Sequence, residues 1–170
     1  KFFMDKSKFD FTFGHLNPMT NYNGVEDLSL WVFHIDKIPP HVGLSVGDVF
    51  FSLKSNGRDE IPVNKVIQII EKKNIKCIVL NLKFNLNIRE VRSIFGTYDH
   101  AFSAQTSCLA PIKEVLNISK NVIKLSELLS HLNDRNKISE YHGFNVTKSE
   151  LGILSYGPED IEKRLNLLHA

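Results

Sequence analysis

Apolar and polar positions change period several times along the chain, and each change marks an element. Phe9, Phe11 and Phe13 alternate with polar neighbours, which predicts a strand within residues 1–13. Leu28 to Ile35 is an apolar, β-branched and aromatic run and predicts a second strand, ended by Pro39 and Pro40. Val42, Leu44 and Val46 then alternate with His41, Gly43 and Ser45, which share the other face of a strand. Gly47-Asp48 is a hairpin signal, and Val49 to Leu53 is the return strand. Ser55 to Asp59 reads as a turn. After Pro62 the period becomes helical, with Val63, Val66, Ile67 and Ile70 on one face and Lys72-Lys73 at the C-terminus. Ile75 to Leu82 predicts a buried strand.

Asn87 and Glu90 have capping-box spacing ahead of the stripe Ile88, Val91, Ile94 and Phe95, which Gly96 stops. Pro111 is tolerated only in a first helical turn, so a helix beginning at Ser107 or Cys108 is expected, its stripe formed by Leu109, Ile112 and Leu116. A short helix over Ser126 to Leu132, mixed strand character over Gly143 to Leu154 and a last helix opened by Gly157-Pro158-Glu159-Asp160 complete the chain. No repeat or shift of composition divides it. The expectation is one α+β domain over residues 1–170, with a small antiparallel sheet packed by helices.

Composition narrows the function classes. The chain has 170 residues, 42% hydrophobic and 24% charged, as a soluble globular domain has. A net charge of +2, with no basic block, argues against nucleic acid and acidic membranes as partners. No apolar run has the length of a membrane span, and no signal-peptide core is visible at the start, which leaves the compartment open. The two cysteines, Cys77 and Cys108, read as free thiols.

The chemistry centres on Cys108 and His41. A thiol at a helix start is favoured as thiolate by the backbone dipole and unpaired amides. His41 lies on the small-residue face of its strand, with open space before it, and would serve as general base and then as acid. The alternative is an inert, buried Cys108, since free cysteines are among the most buried residue types. His34, His15, His131, His142 and His169 read as structural or surface residues, and His100 as a loop residue able to approach the site. No Cys/His spacing fits a metal and no glycine-rich phosphate loop is present, so no cofactor is expected. The loop Gly14 to Gly24 is expected to border the cleft, with Tyr22 contacting substrate. Lys54, Tyr98 and His100 are the other expected substrate contacts.

These motifs fall in a familiar order. His41-Val42-Gly43-Leu44-Ser45-Val46-Gly47-Asp48, then a helix, then Tyr98, then Thr106-Ser107-Cys108 at a helix start resembles the circularly permuted NlpC-type papain-like superfamily. Its lecithin retinol acyltransferase-like branch and the permuted bacterial amidase-like proteins share this layout, and Glu26-Asp27-Leu28 stands where the family has a Gly-Asp-Leu strand. The likeness spans about residues 25 to 118. It implies a permuted papain-like arrangement and a cysteine hydrolase or acyltransferase acting on an amide or ester of a small-molecule, peptide or lipid substrate. Cys108 would be nucleophile and His41 base. The chain departs at the third position, where the acyltransferase branch has a second histidine: with one turn residue missing Ser52 stands here as the candidate orienting residue, and without a gap the position is Leu53. An inactive binding or scaffold domain of the same fold is the alternative.

Overall fold

The computed structural model describes residues 8–18, 28–147 and 150–169. Among the described residues, nine strands and five helices run in the order β1 (Phe9–Thr12), β2 (Leu16–Pro18), β3 (Ser29–Phe33), β4 (His41–Val46), β5 (Val49–Lys54), β6 (Gly57–Pro62), α1 (Val63–Lys73), β7 (Cys77–Leu82), α2 (Ile88–Phe95), α3 (Ala110–Val115), α4 (Leu125–Asp134), β8 (Ile138–Phe144), β9 (Gly152–Leu154) and α5 (Pro158–His169). Seven strands form one sheet in the order β2-β8-β7-β3-β4-β5-β6, antiparallel except for the β2–β8 pair. β1 and β9 form a separate two-stranded sheet. The class is α+β, a mostly antiparallel sheet packed by helices, as the periodicity implies.

Both faces of the large sheet are covered. Every residue of β3 and β7 is buried, which suits central strands with apolar side chains on both sides. On one face Trp31, Phe33, Phe50, Cys77 and Val79 pack under α1 through Val63, Val66 and Ile70. On the other face Leu30, Val32, Val42, Leu44, Phe51 and Leu53 meet α2, α3, α4 and α5. Residues successive in sequence therefore belong to different cores. Trp31 anchors the α1 face, its Nε1 donating to the buried Ser45 Oγ at 2.8 Å and its ring packing against Phe33, Phe50 and Phe144.

Local signals account for the ends of these elements. Asn87 accepts from the Glu90 amide at 3.0 Å and caps α2. Gly47 takes φ 59° in the two-residue turn between β4 and β5, which pairs Val46 with Val49. Asn74 adopts the left-handed conformation that ends α1.

The sheet is larger than the pattern implies. The turn read over Ser55 to Asp59 is confined to its first residues, because β6 begins at Gly57 and pairs with β5. Its sequence is polar, as befits an edge strand, and so carries little hydrophobic signal. The loop read from Gly14 holds β2, which pairs in parallel with β8 at the far edge, with β8, β7 and β3 between it and β4. Residues 19–27 lie outside the described residues, and with them Tyr22 and the Glu26-Asp27 pair.

Gly43 is the tightest point of the hairpin. A Cβ there would stand 2.3 Å from Phe50 Cζ and 2.8 Å from the Phe51 carbonyl oxygen. The ring can turn, but the carbonyl belongs to the strand pairing. Gly43→Ala is expected to lower stability by about 2 kcal/mol, seen as a lower urea midpoint at unchanged slope.

Candidate functional site

His41 opens β4. The chain reaches it through His34, which holds φ 56°, and the cis Ile38–Pro39 bond. Antiparallel pairing sets His41 opposite Phe33, and the two rings stack with centroids 5.9 Å apart. Burial pushes the imidazole down to about 4. Asp59 opposes the shift, while His34 and Lys54 add to it. His41 is therefore neutral at pH 7 and able both to donate and to accept.

Cys108 sits in the turn before α3, two residues ahead of Ala110, with Pro111 in the first helical turn. The turn is held by Ser107, whose Oγ accepts from Leu109 N at 3.2 Å and whose carbonyl accepts from Ala110 N at 3.0 Å. The approach to it is fixed at both ends. Ala101 N donates to the Lys54 carbonyl at 2.8 Å, and Ala104 N donates to Glu162 Oε1 of α5 at 2.7 Å. Cys108 is half-buried against the core that contains Val42. Burial pushes its thiol up to about 11, outweighing the pull of the Val42 amide and its own. This departs from the expectation of a helix-start thiolate. The cysteine precedes the helix, the helix is six residues long, and desolvation is the larger effect.

The two side chains line one cavity of about 930 Å³, together with Ser52 and Lys54. The cavity wraps around the end of the sheet at β3, β4 and β5. His41 and Ser52 belong to the α1 face, whereas Cys108 meets the opposite face at Val42. No hydrogen bond joins thiol and imidazole among the described residues. Ser52 is 1% exposed and its Oγ has no hydrogen-bond partner there, His41 included. Lys54 pairs with Asp59 at 3.1 Å.

Two other expected contacts stand apart. Tyr98 donates to Glu114 Oε1 at 3.3 Å, and His100 packs against Phe102 and edge-on to His169, neither lining the cavity. Sequence reasoning missed Asp59, hidden in what reads as a turn, and Arg164 of α5, which also lines the cavity. The segment Gly57–Pro62 is polar and gives little signal for the first, and nothing local announces the second. Among the described residues no group of three or more His, Cys, Asp or Glu side chains is placed to hold a metal ion, and no helix is long and apolar enough to cross a membrane. No family model matches this chain, and comparison with curated proteins and with solved structures gives no match.

Two solution properties follow. The folded pKa of His41 lies below its unfolded value of 6.5, so the unfolded chain binds more protons between about pH 6.5 and 4. The stability associated with neutral His41 is complete above pH 6.5 and is lost as pH falls through that window, on the order of 3 kcal/mol. Urea midpoints measured from pH 7.5 to 4 should show this fall, and His41→Gln should remove most of it. Alkylation of Cys108 by iodoacetamide should accelerate about tenfold per pH unit from 7 to 10, as expected for a thiol that titrates near 11. Cys77, 0% exposed, should react only on unfolding.

Proposed function

We propose that this chain is a cysteine hydrolase or acyltransferase acting on an amide or ester bond, with Cys108 as nucleophile and His41 as general base. The observation that carries the reading is the shared cavity: the half-buried thiol and the imidazole line one space at the open end of the β4–β5 hairpin. The order of motifs resembling the permuted papain-like superfamily supports it, and the permuted papain-like arrangement of the sheet is part of the proposal. The thiol attacks the carbonyl carbon while His41 takes its proton. The tetrahedral intermediate collapses, His41 returns the proton to the departing amine or alcohol, and an acyl thioester remains on Cys108. Water or an acceptor alcohol or amine then takes the acyl group by the same steps. The substrate is a small molecule, a peptide or a lipid. Both groups are neutral at rest, so proton transfer accompanies attack and requires substrate to draw the imidazole onto the thiol. Unliganded sites commonly show such looseness.

A second reading, a catalytically idle binding domain, is favoured by the upward shift of the thiol and by the missing thiol–imidazole hydrogen bond. Incubation with p-nitrophenyl acetate and mass spectrometry of the intact protein separates the two. The enzyme reading expects an acetyl adduct on Cys108 that then decays, absent in Cys108→Ala and formed about 100-fold more slowly or worse in His41→Gln. A folded protein that forms no adduct, or forms it equally with His41→Gln, leaves the binding domain.

A further inference from the structure

The α1 side of the cavity has a composition of its own. Its walls are apolar, from Phe33 and Phe50 of the sheet to Val66 and Ile70 of α1. Its floor is small. The β4–β5 register, continued one pair beyond Leu44 and Phe51, sets Gly43 opposite Ser52, and Ser52 is opposite Asp59. The Phe50 ring fills the space above Gly43, so the small side chain that lines the cavity here is that of Ser52. Its lining also includes Ile38 and Ile69, 47% and 42% exposed.

Within this apolar space stands one polar atom without a partner. Ser52 lines the cavity, and its Oγ is buried and makes no hydrogen bond among the described residues. Buried hydroxyls are nearly always satisfied, and a partner here would have to come from within the cavity. On the α1 side the charges cancel: Lys54 pairs with Asp59 at 3.1 Å, and Asp36 and Lys37 on the rim are of opposite sign, while Arg164 reaches the cavity from α5, which packs on the other face of the sheet. An ionic ligand on the α1 side would lose its hydration with no uncompensated charge beside it.

We infer that the α1 side of the cavity is a binding site for an uncharged, mainly apolar molecule bearing one hydrogen-bonding head group, which Ser52 Oγ holds while its body lies among Phe33, Phe50, Val66 and Ile69. The inference does not rest on chemistry at Cys108, which lies on the other face of the sheet.

N-phenyl-1-naphthylamine is a suitable probe, being neutral and aromatic with a single N–H. Trp31, the one tryptophan of the chain, packs against Phe33 and Phe50 and provides an internal donor for energy transfer. Titration should quench Trp31 and raise probe emission. Ser52→Ala should weaken binding roughly threefold to tenfold, the effect of one hydrogen bond, while the unfolding midpoint holds or rises because a buried unpaired hydroxyl is gone. Ile69→Glu, on an exposed helix position, should weaken binding without unfolding the protein, and Cys108→Ala should leave the affinity unchanged. The anionic 1-anilinonaphthalene-8-sulfonate should bind more weakly than the neutral probe. Failure of the neutral probe to bind, equal affinity in Ser52→Ala and Ile69→Glu, or weakening by Cys108→Ala alone would overturn the inference. Tighter binding of the anion would refute its claim about charge.

Discussion

The alternation of side chains in β3, β4 and β5 is the constraint from which the rest follows. These strands are buried on both faces, so a slip of one residue would exchange two cores of different size and shape. The α1 face holds Trp31, Phe33 and Phe50; the other holds Leu30, Val32, Leu44 and Phe51. The Trp31–Ser45 hydrogen bond makes a slip costlier still, since it would leave an indole N–H and a hydroxyl buried without partners. That register decides where the chemistry lies. His41 must follow Phe33 to the α1 face, and Val42 must turn toward Cys108. The proposed nucleophile and base therefore come from opposite sides and can meet only around the end of the sheet, where the cavity runs.

Dryness sets the character of both groups. Burial discourages the charged form of each, lowering the imidazole to about 4 and raising the thiol to about 11. Asp59, the nearest opposing influence on His41, is already engaged by Lys54. A resting thiolate–imidazolium pair has no support in such surroundings. Under the proposed function, such surroundings would protect Cys108 from oxidation and alkylation in the absence of substrate, and the bound molecule would complete the geometry. The same dryness strengthens any hydrogen bond made inside it, so a single correctly placed hydroxyl contributes more here than on the surface.

Local signals carried much of this architecture into the sequence. The β4–β5 hairpin was legible because Gly47-Asp48 interrupts a clean alternation, and α1 because its apolar spacing and Pro62 agree. Asn87 announced the start of α2 through a contact three residues away. The features that stayed hidden depend on partners distant in the chain. β2 pairs with β8, and β1 with β9, across more than a hundred residues, and nothing in LNP or FDFT names those partners. β6 is a polar edge strand whose Gly57 and Asp59 resemble turn residues. In the candidate site, residue types and strand parity marked His41 and Cys108. The direction of the thiol shift was misread, because a helix start is visible in sequence and burial by the rest of the fold is not.

Small residues at the sheet end tie stability and function together. Gly43 and Ser52 occupy adjacent central positions where large apolar side chains would bury more surface. Gly43 is explained by packing: Phe50 and the Phe51 carbonyl occupy the space a Cβ would need. No such explanation exists for Ser52. Its Cβ fits, its hydroxyl is desolvated, and it orients no neighbour among the described residues. An alanine there would remove an unpaired polar atom at no loss of packing, and would stabilise the fold. A residue that costs stability while contributing nothing to the folded core calls for a role outside the core. Ser52 lines a cavity large enough for a ligand, and the proposed role lies there.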